Sequence, residues 1–197
     1  MNQDSPFAQF FFSIPICTRI LLVSTLSFSI ANVFIPSIGS LCAFDINLIG
    51  KGQLWRLFTP YVLHQLGFPF IMSLFIIYNF SRELEERYFK GDSLRYMYYL
   101  LFVMCLLDLI SVYYIPLQSL LTTVFIYTAS RSDPTSMISL FFGITLKRMY
   151  LPWAYLVLSF LMSGMILPSL LGILVGHCYY FLKHVIPVHY PHVPILI

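Results

Sequence analysis

The sequence is dominated by apolar runs too long for core strands and too free of charge for the surface of a soluble domain. A bilayer hydrocarbon core about 30 Å thick is crossed by roughly 20 such residues in helix, with about 17–25 as the workable range. Five runs meet that measure, at 20–38, 58–80, 96–115, 150–166 and 169–186. A sixth, 117–129, lies between Pro116 and the polar stretch SRSDP. At about 1.5 Å per residue it reaches only about 20 Å, so it must be covered by neighbouring protein or sit where the bilayer thins. The expectation is an all-α membrane protein of six transmembrane helices with 117–129 as its buried centre. The apolar piece 136–146 ends in Lys147 and Arg148 and is too short to span. It is expected at the interface as an amphipathic or re-entrant segment.

Composition excludes the main alternatives. Hydrophobic residues make up 59% of the chain and charged residues 10%, against about 25% charged in a soluble domain. The net charge of +3 is spread along the chain, which excludes a nucleic-acid footprint of clustered Lys and Arg. Cys17, Cys42, Cys105 and Cys178 have no C-x-x-C spacing and read as small buried hydrophobes. The first fifteen residues have neither the basic flank nor the cleavage site of a secretory signal, so the first run is expected to stay as an anchor.

Six spans put both termini on one side, and the positive-inside rule identifies it. With a cytosolic N-terminus, Arg19, Arg82, Arg87, Lys90, Arg95, Arg131, Lys147, Arg148 and Lys183 lie inside, leaving only Lys51 and Arg56 of the eleven basic residues outside. The mixed-charge stretch 81–95, with Glu83, Glu85, Glu86 and Asp92, reads as a solvated cytosolic turn.

Candidate functional positions follow from polar and small residues in this apolar setting. In the long connection 39–57, Trp55 supplies an amphipathic ring and Arg56 a permanent cation, a pair suited to pinning a loop into the interface. In the last run, Gly172 and Gly176 share one helix face and permit close backbone approach. Packing within the chain is the first reading of that spacing, and homo- or hetero-oligomer formation the second. His177 follows about 100° round the helix, and is either a functional group or a neutral ring bonded to a neighbouring carbonyl. Asp108 falls within the third run, where a centred carboxylate costs about 2.5–3.5 kcal/mol on insertion scales, and must be protonated or paired. His184, His189 and His192 lack zinc-motif spacing, and Pro187, Pro191 and Pro194 argue against a regular helix there, so no metal and no cofactor is expected.

The run QLWRLFTPYVLH, with Trp55, Arg56, Thr59 and His64, is similar to the approach to the second span of rhomboid peptidases. Those enzymes carry a second His and an Asn after that His, where this chain has Pro69 and Ser73, and a G-x-S-G nucleophile turn opening the fourth span. None of the nine glycines begins such a turn. Ser119, Thr122 and Thr123 lie in the right span without flanking glycines, and Ser163-Gly164 is in the fifth.

Most of the chain resembles the derlin family, the rhomboid-like pseudoproteases of the endoplasmic reticulum. The resemblance rests on WRLFTPYVL with LGFPF, on YNFSRELEERYFKGDSLRYMYYLLF, on FFGITLKRMYLPW and on GILVGHCYYFL. It implies one rhomboid-like membrane domain over 1–197 that is not an enzyme and works in endoplasmic-reticulum-associated degradation. There it would assist retrotranslocation of misfolded proteins to the cytosol for proteasomal destruction. The family's motifs fall on Trp55-Arg56 and on Gly172 and Gly176. Ubiquitin-ligase subunits and the lipid bilayer are the implied partners. The long tail with which many members bind an AAA ATPase is absent before Ile197, so that contact is expected to be indirect. An active intramembrane serine peptidase and a small-molecule or lipid transporter are the alternatives, opposed by the missing G-x-S-G and by the lack of a visible inverted repeat.

Overall fold

The structure is a computed structural model that describes residues 5–110, 117–139 and 145–189. Helix α1 (Pro6–Ser13) turns at Pro15 into α2 (Ile16–Phe34). Ile35-Pro36 ends α2, since the residue before a proline is held out of helical geometry. Two short helices follow, α3 (Ser37–Cys42) and α4 (Ile46–Ile49), then two 3-10 turns, Leu54–Leu57 and Thr59–Tyr61. Helix α5 (Phe68–Ile76) starts after Gly67, whose φ of +152° only glycine adopts readily, with Pro69 in its first turn.

The expected span 58–80 is therefore corrected at its start. Residues 58–67 form turns and extended chain, because Pro60, Gly67 and Pro69 punctuate the run. At its other end the helix does not stop at Phe80 but continues to Tyr88 through wide π turns, Ile77–Ser81 and Leu84–Tyr88. Residues 81–88 are thus no solvated loop: Ser81, Leu84 and Glu85 are fully buried. The chain reverses at Lys90-Gly91, both at positive φ, and Asp92 caps α6 (Ser93–Ile110) by accepting from the Arg95 N–H at 3.1 Å.

Helix α7 (Leu117–Ser132) is the centre of the molecule. Leu117 and every residue from Leu120 to Ser130 are buried, and α5, α6, α8 and α9 pack around it. Its hydroxyls cost little there because they bond back along the helix: Thr122 and Thr123 each donate to the Ser119 carbonyl at 2.9 Å, and Ser130 to that of Tyr127 at 2.7 Å.

Strands β1 (Met137–Ser139) and β2 (Thr145–Lys147) then pair antiparallel, Ile138 opposite Leu146. In place of the expected amphipathic or re-entrant segment the described residues form two paired antiparallel strands, and 140–144 lie outside the described residues. Ile138 and Leu146 pack on the core while Met137, Ser139, Thr145 and Lys147 are exposed, the two-residue period of a half-buried strand.

A 3-10 turn, Arg148–Tyr150, leads into α8 (Leu151–Ser163), which Gly164 ends in left-handed geometry at φ +69°. Helix α9 (Leu167–Tyr180) continues through a π turn, Phe181–Val185, into α10 (Ile186–His189). Pro187 therefore does not break the helix as expected. It sits in the first turn after the wide π turn, where its missing N–H is tolerated. Pro191, His192 and Pro194 lie outside the described residues.

By length and composition, two helices, α2 and α6, can each cross a membrane. All four cysteines are free. Cys42 is buried, Cys17 half-buried, and Cys105 and Cys178 are exposed, which corrects the expectation of burial for those two. They lie on outer faces of α6 and α9 in line with the exposed Leu101, Leu109 and Leu174.

Helices α7 and α9 meet backbone to backbone. A Cβ on Gly172 would lie 2.6 Å from Thr123 Cβ and 2.9 Å from the Leu120 carbonyl oxygen, and one on Gly176 2.8 Å from Tyr127 Cδ1. Gly172→Ala is expected to destabilise the protein by about 1–3 kcal/mol through overpacking. Gly50→Ala, whose Cβ meets nothing closer than 3.6 Å, should change stability by less than about 0.5 kcal/mol. Unfolding of both variants in lipid nanodiscs checks the contrast.

Candidate functional site

The Trp55-Arg56 turn closes the end of α3. The last carbonyls of a helix have no partner within it, and here the 3-10 turns supply them. Arg56 Nη1 donates to the carbonyls of Ser40 (2.9 Å) and Ala43 (2.6 Å), the Trp55 indole N–H to Leu41 (3.2 Å), and the Thr59 hydroxyl to Cys42 (3.1 Å). Arg56 Nε also donates to Gln53 Oε1 at 2.8 Å. Four consecutive carbonyls, Ser40 to Ala43, are thereby satisfied from the five residues 55–59. Arg56 is 4% exposed, so the reading of the pair as an interfacial anchor is corrected for Arg56: its cation is spent on backbone. The Trp55 ring is half-exposed.

A second cap comes from the stretch read as a solvated turn. The fully buried Glu85 carboxylate accepts from the Cys17 N–H (3.1 Å), the Thr18 N–H and hydroxyl (2.9 Å each) and the Ser93 hydroxyl (2.6 Å). It closes the N-terminus of α2, where free N–H groups and the helix dipole favour an anion. Ser81, one turn earlier, bonds Thr18 Oγ1 at 2.9 Å and Tyr96 Oη at 2.6 Å. Glu83 pairs bidentately with Arg148 at 2.5 Å, tying α5 to the base of α8. At the end of the same helix Tyr88 Oη lies 2.7 Å from His184 Nε2.

The remaining positions do not converge. His177 Nδ1 lies 2.7 Å from the Tyr127 hydroxyl, not from a carbonyl, and Arg131 Nε donates to that hydroxyl at 3.2 Å. Tyr127 thus holds the His177 ring through Nδ1 and is itself held by Arg131. Asp108 Oδ1 is paired with the Tyr61 hydroxyl at 2.8 Å, which also reaches the Met104 carbonyl at 3.0 Å. His64 is buried beside Phe70; its backbone N–H donates to Ser29 Oγ at 3.0 Å, while neither ring nitrogen has a partner among the described residues.

The register of α7 against α9 decides whether serine and histidine can meet. The two helices run in the same direction, Gly172 level with Leu120 and Thr123, and Gly176 with Tyr127. His177 thus sits two turns, about 12 Å, beyond Ser119. The α9 residue one turn before Gly172 is Ser169, fully buried, with no partner for its hydroxyl among the described residues. Ser163 donates to the Ser159 carbonyl at 2.8 Å. Among the described residues no group of three His, Cys, Asp or Glu is placed to hold a metal.

A helical protein whose buried charges close the ends of apolar helices, two of them long enough to cross a bilayer, is built as a membrane protein is built. The profile of the Der1-like family matches residues 14–196, and the chain belongs to that family. It is 29% identical over 194 residues to a probable derlin-2 homolog of Dictyostelium discoideum, covering 92% of this chain and 76% of that one. To Derlin-1 of Mus musculus it is 28% identical over 187 residues, 90% and 74% of the two chains. To Derlin-1 of Oryza sativa subsp. japonica it is 36% identical over 138 residues, 68% of this chain and 57% of that relative.

The two caps give separable expectations. Arg56→Lys leaves a point charge that cannot serve Ser40, Ala43 and Gln53 together, and should cost about 2 kcal/mol. Glu85→Gln turns an amide N–H₂ toward backbone donors and should cost about 2–3 kcal/mol. Unfolding in nanodiscs checks both. Amide exchange should quicken first near 40–43 for Arg56→Lys and near 17–18 for Glu85→Gln.

Proposed function

We propose that this chain is a non-catalytic membrane component of endoplasmic-reticulum-associated degradation that helps misfolded proteins reach the cytosol for proteasomal destruction. On this reading it is one rhomboid-like domain of six spans in the reticulum membrane, with both termini cytosolic. Its family supports the pathway. The observation that carries the non-catalytic part is the register of α7 on α9. Nucleophilic catalysis needs a base within about 3 Å of the nucleophile, whereas His177 is held by Tyr127 two turns from Ser119.

The bundle's dimensions suggest how it acts. Helix α7 has 16 residues and α8 has 13, about 24 and 20 Å of helix, against a hydrocarbon core of about 30 Å. Helices this short favour local thinning, which lowers the barrier to polar chain crossing. Helix α8 leans on α7 and α9, and of its residues only Leu151 and Pro152 are buried. Substrate would enter laterally between α5 and α8. Subunits of a ubiquitin-ligase complex would receive it, and an AAA ATPase would be reached through them.

In cells lacking the protein, wild type and Ser119→Ala/His177→Ala should restore turnover of a misfolded lumenal reporter equally. Trp55→Ala/Arg56→Ala, which opens the end of α3, should lengthen the reporter half-life severalfold at matched protein level. Failure of the Ser119/His177 variant alone would return hydrolysis as the function.

A further inference from the structure

We infer that α1 is an interfacial helix that lies in the membrane surface beside the start of α2 and sets the depth at which that helix sits, an inference that rests on the membrane reading above. Its sequence, PFAQFFFS, carries no charge, and Phe10 and Phe12 are 53% and 68% exposed. An eight-residue helix does not hold itself together in water. The protein contributes to α1 a ring contact between Phe10 and Tyr78 at 6.0 Å, and leaves most of Phe12 uncovered. The next exposed apolar residues along the chain, Ile16, Ile20 and Val23, share one face of α2. The occupant of α1's open face is thus the occupant of the α2 face, the acyl and headgroup boundary of the bilayer.

The polar groups of the α1 to α2 corner are arranged for that setting. The Ser5 hydroxyl accepts from the Ala8 N–H at 3.2 Å, and the Ser13 hydroxyl donates to the Phe10 carbonyl at 2.6 Å. Arg19, one turn into α2, reaches back to the end of α1: Nη2 donates to the carbonyls of Phe12 (3.0 Å) and Ile14 (2.7 Å), and Nε to Ile14 at 3.2 Å. Its guanidinium also lies over the Phe11 and Phe12 rings, 5.3 and 5.0 Å from their centroids. Backbone groups that water would otherwise serve are therefore closed by side chains, which lowers the cost of placing the corner at the headgroup and acyl boundary. The same bonds hold α1 at a fixed angle to α2. With Glu85 on the following N–H groups, the corner is rigid, so the depth of α1 dictates the depth of α2.

The test uses the purified full chain in lipid bilayers without partners, its four cysteines replaced by alanine, carrying one nitroxide at a time on Phe12→Cys, Leu109→Cys or Lys90→Cys. Leu109 is 74% exposed on α6 and Lys90 is exposed at the turn before it, so they report acyl and aqueous surroundings. The expected result is a Phe12→Cys label severalfold more accessible to oxygen than to a nickel chelate, as at Leu109→Cys, with the reverse at Lys90→Cys. A Phe12→Cys label that behaves as Lys90→Cys while Leu109→Cys is acyl-buried overturns the inference and leaves the membrane reading standing. That result would make α1 a surface for a protein partner. A water-exposed label at Leu109→Cys overturns the membrane reading and the inference with it. Adding Arg19→Gln should increase the mobility of the Phe12→Cys label severalfold; an unchanged spectrum would contradict the clamp.

Discussion

Everything else in the molecule is arranged around the contact of α9 with α7 at Gly172 and Gly176. With no side chain at either glycine, α9 approaches until Leu120, Thr123 and Tyr127 touch its backbone. That closeness places α7 in the middle, shielded from every side, and has a chemical consequence for it. A helix with no access to water must satisfy its own polar groups, since each unpaired one costs about 1–3 kcal/mol. Helix α7 carries a run of Ser and Thr and meets the condition by bonding them to its own carbonyls. The same contact fixes the register that holds His177 on Tyr127 and away from Ser119.

The scarce charges follow a related logic. Only 10% of residues are charged, and three of those charges close the ends of helices supplied by other parts of the chain: Glu85 on α2, Arg56 on α3, Arg19 on α1. Where neither lipid nor a packed interior can hydrate a helix terminus, a side chain must. An ionised group makes the stronger bond. In soluble proteins such ends are closed locally by a neighbouring Ser, Asp or Gly. Here the Glu85 closure spans 67–68 residues of chain and the Arg56 closure 13–16, and so each holds two elements in a fixed relation. The WR turn in this light is a fastener of the first loop. On the function proposed above, it keeps that loop shaped against the membrane while substrate passes.

Elements defined by local pattern were legible in the sequence. The apolar runs locate α2 and α6 to within a few residues, the shortness and flanks of the run at 117 point to a buried centre, and the spacing of Gly172 and Gly176 implies close approach. What could not be read were partners distant in the chain. The acceptors of Arg56 lie at the end of α3 and the donors to Glu85 at the start of α2, and no periodicity links them. Thr59 was noticed as part of a motif, without its carbonyl on Cys42. Some signals were present and outweighed. Ser81 and Glu85, four apart with Leu84 between them, mark a helix continuing inward past Phe80, yet the density of charge around them suggests a loop. Ile138 and Leu146 flanked by exposed residues have the alternation of strands, hidden within an apolar run.

The central claim is that this molecule moves polypeptide without cutting it. The most direct measurement is the length of a misfolded lumenal reporter recovered from the cytosol when the proteasome is inhibited, compared between cells with and without the protein. The account predicts a full-length chain whose cytosolic amount falls when the protein is removed. A discrete shorter fragment that appears only when the protein is present, and disappears with Ser119→Ala or Ser169→Ala, would contradict it.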